Sequence, residues 1–238
     1  AGQVPARGVG LIVIGTELVS MASSEMNSTN TQNWKDMIKR VREVYSGKLT
    51  YGANSNDNSN SQFVNEKKFI GFWSDLDYVG LSMYYNLNTN SNSVESLKQQ
   101  WDYWNKNDIQ PFQQTVGKPI LIQETGYRSV DNAHIDPWNW QRGGAPNMTE
   151  QANSYDALLS YWNDYSYIAG VYFWNWEANP NAGGTNSTSY TPQNKPAEAV
   201  MKKWFTSPSA PANPPTQATF SSTGGATPSA QAGKPVSL

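Results

Sequence analysis

The chain has 238 residues, no cysteine, a single histidine (His134) and nearly balanced charge, with 17 Lys and Arg against 19 Asp and Glu. Disulfides, thiolate chemistry and a His-rich zinc site are thereby excluded or nearly so, and basic patches no longer than Lys39-Arg40 or Lys202-Lys203 argue against nucleic acid or an anionic membrane as partner. The length allows one sizeable core, and the 10 Trp and 13 Tyr, in a chain rich in Asn, Ser and Thr, supply flat apolar faces with hydrogen-bonding edges of the kind that suit sugar rings. No apolar stretch reaches 18 residues and no signal peptide is present. The chain begins Ala1-Gly2-Gln3 without methionine, and a secreted, extracellular protein whose export signal was lost upstream is expected.

In chain order, Ala1 to Gly10 reads as the end of a helix leading into a strand. The β-branched run 11–15 reads as a buried parallel strand and runs into Thr16-Glu17. A helix is expected over 31–45 and a strand over 49–53. The segment Asn54 to Gln62 is almost all Asn, Ser and Asp and reads as a loop, solvated first and ligand-binding second. A helix over 64–75 and a strand over 78–84 follow. The next helix, 94–115, is closed by Gly117-Lys118-Pro119. A strand over 119–123 ends in Gln123-Glu124, followed by Thr125-Gly126-Tyr127-Arg128 and a loop over 129–146. Asn147-Met148-Thr149-Glu150 matches a capping box for a helix over 150–164, which makes Glu150 a cap rather than a catalyst. A strand over 168–174 and a helix over 195–205 complete the folded part. The segment 207–238, rich in Pro, Ser, Thr, Gly and Ala, reads as a linker, leaving 1–206 as one domain.

Strand-helix alternation implies a parallel sheet. A complete (β/α)8 barrel needs about 250 residues, whereas five units occupy about 205 here. The expected fold is therefore α/β, a TIM barrel truncated to its last five βα units; a complete open five-stranded sheet is the alternative.

Two glutamates stand where strands leave the sheet, the position at which α/β proteins carry their chemistry. Alternation puts Val13, Gly15 and Glu17 on one face, and Ile120, Ile122 and Glu124 on one face, so that both carboxylates point inward. Gly80, Ser82 and Tyr84 share the inner face of the third strand, with Val79, Leu81 and Met83 toward the helices. Gly170, Tyr172, Trp174 and Trp176 share a parity that brings Trp174 to the rim as a floor for a sugar. Paired carboxylates are the minimum equipment for glycosidic cleavage. Asp75 and Asp77 precede the third strand, at the opposite end, and are rejected as catalysts. Glu177 reads as a surface carboxylate, and His134 as structural.

Gly15-Thr16-Glu17-Leu18, the run Leu76 to Tyr85, Pro119 to Arg128 and Phe173-Trp174-Asn175-Trp176 together resemble glycoside hydrolase family 113 and its relatives in clan A. Those are (β/α)8 barrels, several of them β-mannanases, that retain anomeric configuration. The resemblance spans about residues 9 to 205 and makes the five runs strands 4 to 8. It implies Glu17 as acid/base and Glu124 as nucleophile, with the charge of Glu124 raising the pKa of Glu17. Tyr84 is similar to the residue that hydrogen-bonds the nucleophile, and Trp174 to the platform under the sugar. Asn54, Trp138, Trp176 and Arg128 complete the expected substrate contacts. Many clan A enzymes carry asparagine just before the acid/base, where this chain has Thr16. The expectation is a retaining endo-β-1,4-mannanase-like glycoside hydrolase, a monomer acting on polysaccharide or oligosaccharide, with no metal or cofactor. The alternatives are a xylanase or β-glucanase, or a non-catalytic carbohydrate-binding protein on the same scaffold.

Overall fold

The computed structural model describes residues 9–206, so most of the helix end expected at 1–10 and the linker expected at 207–238 lie outside the described residues. Five parallel strands form one sheet: β1 (Leu11–Thr16), β2 (Lys48–Ser55), β3 (Val79–Met83), β4 (Ile120–Glu124) and β5 (Ile168–Val171). Their spatial order is their order in the chain. An open doubly wound sheet reverses its strand order at a switch point, whereas a barrel adds each strand beside the last. The sheet is thus an arc of a barrel, and the open-sheet alternative is set aside.

Among the described residues six α-helices accompany it: α1 (Val19–Ala22), α2 (Asn30–Val44), α3 (Val94–Trp104), α4 (Gln110–Val116), α5 (Met148–Trp162) and α6 (Pro196–Thr206). The core lies between strands and helices. Leu49, Tyr51 and Ala53 of β2, Val79, Leu81 and Met83 of β3, and Ile120 and Ile122 of β4 are all fully buried there, against Trp34 and Ile38 of α2, Trp101 of α3 and Tyr155 of α5. Trp34 stacks on Phe72 at 5.0 Å between centroids, with Tyr51 edge-on to both.

Two expected helices differ. Residues 64–75 form no α-helix but two short 3-10 turns, Glu66–Phe69 and Trp73–Asp75, because this segment buries polar anchors (Glu66, Lys67) beside apolar ones (Phe72, Trp73) instead of presenting one apolar stripe. The helix expected over 94–115 is interrupted by a π-helical turn at Asn105–Ile109 between α3 and α4. That turn places Asn105 and Asp108 in the interior.

Asp108 has the partners a buried carboxylate needs. It accepts from Lys67 Nζ at 2.9 Å and from the Tyr85 hydroxyl at 2.6 Å, and Tyr85 shares a hydrogen bond with Ser55 at 2.6 Å. Lys67 also donates to the Asp57 carbonyl at 3.2 Å and to Asn65. Burial lowers the Lys67 pKa to about 8, opposed by the charge of Asp108. This cluster ties the loop after β2 to the helix after β3.

Strand alternation also departs from expectation: register shifts occur in three of the four strand pairs, and two of them bear on the cavity. Leu81 pairs with Ile122 but Ser82 with Glu124, so Gln123 is an extra residue in β4. Ile120 and Ile122 consequently face the helices, and it is the bulge that turns Glu124 to the inner face beside Ser82. The corresponding shift in β1 lies between Val13 and Thr16, and it leaves Gly15 packed toward Trp34 and Tyr51 on the helix side. Gln123 fills the barrel interior over Gly52 and Gly80, where an added Cβ would come within 2.8 Å of its side chain or closer.

Lys67→Met removes one partner of a fully buried ion pair. It is expected to lower unfolding free energy in urea by about 3–5 kcal/mol, and a second change, Asp108→Asn, should recover much of the loss.

Candidate active site

At the C-terminal ends of the strands lies a cavity of about 330 Å³ lined by Glu17, Asn54, Asn56, Tyr84, Glu124, Trp138, Trp140, Trp174 and Tyr190. Six of the residues singled out from sequence are brought together here: Glu17, Glu124, Tyr84, Trp174, Asn54 and Trp138.

Glu17 follows β1 with its backbone in the left-handed region, φ 54°. A residue with a Cβ is held there at a cost of order 1 kcal/mol or more, so its surroundings must impose the conformation. The Glu17 amide donates to the Gly52 carbonyl at 2.8 Å, and the Leu18 amide to the Tyr51 hydroxyl at 2.7 Å. Tyr51 in turn donates to Glu66 Oε1 at 2.5 Å, while Glu66 Oε2 accepts from the Asn54 amide at 2.9 Å. Buried Glu66 therefore braces the exits of both β1 and β2.

Glu124 closes β4. Its Oε1 accepts from the Tyr84 hydroxyl at 2.8 Å. Burial raises the Glu124 pKa above the usual carboxylate range, the Tyr84 hydrogen bond opposes that rise, and the charge of Glu17 adds to it. The two carboxylates thus interact electrostatically across one cavity. Burial, with the charge of Glu124 adding to it, pushes the Tyr84 hydroxyl far up, so that it stays a donor.

The aromatic wall has two origins. Phe173 stacks on Tyr155 of α5 at 4.5 Å, which turns the neighbouring Trp174 the other way, and the Trp174 amide donates to the Thr125 carbonyl at 2.7 Å. The Trp174-Asn175 peptide is cis. Gly126 leaves room for this arrangement, since a Cβ there would lie 2.1 Å from the Trp174 carbonyl oxygen. Trp138 and Trp140 come from the loop after β4, where the Tyr190 hydroxyl donates to the Pro137 carbonyl at 2.6 Å. Trp138, Trp140 and Trp174 are 48%, 72% and 50% exposed, so apolar ring faces stand open to a ligand.

Two expected contacts lie elsewhere. Arg128 does not line the cavity: its guanidinium donates to the Thr188 carbonyl at 2.9 Å, to the Thr188 hydroxyl at 3.0 Å and to the Arg142 carbonyl, joining two loops. Trp176 is exposed but likewise outside the lining. Thr16 accepts from Gln123 Nε2 at 3.0 Å and belongs to the barrel interior. Conversely, Asn56, Trp140 and Tyr190 line the cavity without having been singled out as contacts. Asn56, two residues beyond Asn54, could have been found by extending the alternation of β2; Trp140 and Tyr190 sit in irregular chain and leave no local signal.

His134 is structural. Its Nδ1 faces Glu150 Oε1 and its Nε2 faces the Thr89 carbonyl at 3.0 Å. Two acceptors suit the imidazolium, which alone carries both protons. Accordingly the His134 pKa is raised by its hydrogen bonds to Glu150 and Thr89 against burial, and that of Glu150 is lowered by His134 and Asn92 against burial. Glu150 still opens α5, where the Asn147 side chain accepts from its amide at 2.8 Å. The pair ties the Trp138 loop to α5 and to the loop after β3.

The fold and cavity define a parallel α/β barrel protein with paired carboxylates and an aromatic wall at the strand ends. The model of Glycoside Hydrolase Family 113 matches residues 5–195, and the chain belongs to that family. Among solved structures it is similar to a GH113 β-1,4-mannanase, with a TM-score of 0.63 and 25% identity over 83% of this chain and 56% of the other. It is also similar in fold to the GH113 β-mannanase AaManA from Alicyclobacillus acidocaldarius in complex with ManMIm (0.59, 23%, covering 82% and 55%). A Bifidobacterium dentium β-glucuronidase shares the fold at 13% identity and a TM-score of 0.54, covering 84% of this chain and 31% of the other. The chain spans little more than half the length of the two mannanases, in keeping with five units of a barrel. No functionally curated protein matches it in sequence.

The His134 pair sets a pH window for stability. With its pKa raised, His134 contributes fully below its ordinary value of 6.5 and loses that contribution as pH rises through the raised value. With its pKa lowered, Glu150 contributes above its ordinary value of 4.5 and loses it as pH falls through the lowered value. The difference in melting temperature between the native protein and His134→Gln should therefore be largest between those two values and shrink at alkaline pH.

Proposed function

We propose that this chain carries the catalytic pair of a retaining β-glycanase of the β-1,4-mannanase kind, acting outside the cell on polysaccharide as a monomer. The observation that carries the proposal is the hydrogen bond from Tyr84 to Glu124 in a cavity that also holds Glu17 and the exposed face of Trp174. Glu124 attacks the anomeric carbon from one side while Glu17 protonates the departing oxygen. Glu17, now a carboxylate, then takes a proton from the water that releases the sugar from Glu124. For this route the two carboxyl groups must lie about 5–5.5 Å apart, which leaves no room for a water between sugar and nucleophile.

Tyr84 has a definite part. A hydroxyl that donates to Glu124 holds one oxygen and favours the ionised form, leaving the other oxygen to attack. Trp174 offers a flat face for the sugar at the bond to be cut. Mannan is placed first among substrates because the similar GH113 structures are described as β-1,4-mannanases.

The proposal is tested by reducing-sugar release from mannan, xylan and mixed-linkage β-glucan, using this chain beside a form extended upstream by the three further βα units of a full barrel. Mannan turnover by the extended form supports it. Binding without turnover on any of the three would instead favour the carbohydrate-binding alternative.

In the active form Glu124→Gln should lower kcat by about 10⁴-fold or more while polysaccharide binding persists. Tyr84→Phe removes a hydrogen bond to a charged group, worth about 1.5–3 kcal/mol, and should lower kcat by roughly 10- to 100-fold. Its effect on pH follows from sign. Tyr84 holds the raised pKa of Glu124 down, so its loss lets that pKa climb, and the acidic limb of the kcat/KM profile should move to higher pH.

A further inference from the structure

Glu66 is fully buried at the head of the first 3-10 turn, and its two partners are the Tyr51 hydroxyl and the Asn54 backbone amide. Among the described residues it makes no ion pair. Stability alone would be served as well by a well-packed apolar side chain at such a position, so the hydrogen bonds of Glu66 matter for where they lead. We propose that Glu66 and Tyr51 are positioning residues for Glu17: they hold it where its carboxyl protonates the departing oxygen, so that their loss impairs acid assistance and spares attack by Glu124. This rests on the reading of Glu17 as acid/base and Glu124 as nucleophile.

The need for support is local. Glu17 sits in the left-handed region, φ 54°, and Leu18 after it, φ −88° and ψ 51°, is neither helical nor extended. Two consecutive residues in such conformations persist where bonds from outside the segment hold them. The Glu17 amide donates to the Gly52 carbonyl at 2.8 Å, and the Leu18 amide to the Tyr51 hydroxyl at 2.7 Å. That hydroxyl has one proton, and to present a lone pair to Leu18 it must direct the proton elsewhere; Glu66 Oε1 receives it at 2.5 Å. Glu66 Oε2 accepts from the Asn54 amide, so both oxygens are acceptors, which is what an ionised carboxylate offers. Glu66 thereby sets the direction of the whole relay from its own position to the residue after Glu17.

The relay is held on every side. The Tyr51 ring is fully buried and lies edge-on to Trp34 at 5.2 Å, to Phe72 at 5.5 Å and to Trp73 at 6.2 Å. The Trp73 indole donates to the Lys67 carbonyl at 2.9 Å, which fixes the turn that carries Glu66. The same turn grips the chain beyond Glu17 a second time: the Ser24 amide donates to the Phe69 carbonyl at 3.0 Å, and Ser23 forms an antiparallel bridge with Ile70. The segment containing α1 is therefore tied to the Glu66 turn at both ends. Burial raises the Glu66 pKa, its two hydrogen bonds oppose the rise, and the charge of Glu17 adds to it, so the two carboxylates are also in electrostatic reach of one another. Glu124 is held separately, by Tyr84 and by the bulge in β4, so one carboxylate can be disturbed without the other.

Rates of the extended, active form on phenyl and 2,4-dinitrophenyl β-mannobioside test this. Cleavage of the first needs a proton on the departing oxygen, whereas 2,4-dinitrophenolate leaves without one, so kcat/KM for the second reports attack by Glu124. Tyr51→Phe, and separately Glu66→Gln, should lower kcat/KM for the phenyl substrate roughly 10- to 100-fold and change that for the dinitrophenyl substrate by less than about 3-fold. Glu124→Gln should lose both. The ratio of the two rate constants does not depend on the fraction of protein folded, so a destabilised variant still reports. Equal losses on the two substrates, the pattern of a merely structural role, or no loss on either would overturn the assignment. Dinitrophenyl turnover that persists in Glu124→Gln, or none by the unaltered enzyme, would instead overturn the reading of the cavity on which it rests.

Discussion

Gln123 lies inside the barrel over Gly52 and Gly80, its amide bonded to Thr16, as the extra residue of a bulge in β4. The arrangement of the cavity depends on it. Without the bulge, Glu124 would keep the parity of Ile120 and Ile122 and project among the helices, where an unpaired carboxylate is untenable. With it, Glu124 stands opposite Ser82 and within reach of the Tyr84 hydroxyl. Gly52 and Gly80 are small because the Gln123 side chain occupies the space their side chains would take. The hydrogen bond to Thr16 links this packing to the strand that carries Glu17.

Around that centre, buried polar groups do the positioning. Glu66 braces the chain after Glu17 through Tyr51, and Asp108 with Lys67 joins the loop after β2 to the π-helical turn. Arg128 joins the Trp138 loop to Thr188, and Lys195 donates to Ser129 and the Ser189 carbonyl beneath it. Each is a charged group withdrawn from water and supplied with partners, the condition under which burial is tolerated. Their common effect is to tie down the irregular chain that supplies most of the cavity-lining side chains.

Much of this was legible in the sequence for simple reasons. Continuous apolar runs of β-branched residues mark the strands, but the first, expected to be buried, lies at the edge of the arc with Val13 40% exposed, and glutamates directly after two of the runs come to stand at the strand ends. Tyr84, Trp174, Asn54 and Trp138 followed from position along the strands or from family resemblance. Residues 64–75 read as a helix because Glu66, Lys67, Phe72 and Trp73 mimic a helical mixture of polar and apolar residues, whereas the polar members are buried. The inward direction of Glu124 was expected from an alternation that the structure breaks; a bulge leaves no mark in a run such as Ile120-Leu121-Ile122-Gln123-Glu124. Arg128, adjacent in sequence to the Glu124 motif, looked like a ligand contact but is drawn to carbonyls of distant loops.

In the proposed mechanism Glu124 is the group that bonds to the sugar, with Glu17 as its proton-transferring partner. Trapping the active form with a 2-deoxy-2-fluoro-mannosyl fluoride and mapping the labelled peptide by mass spectrometry tests it most directly. A single fluorosugar on the peptide containing Glu124, absent from Glu124→Gln, is the predicted result. A label on Glu17, or turnover of mannan with no covalent adduct on Glu124, would contradict the assignment.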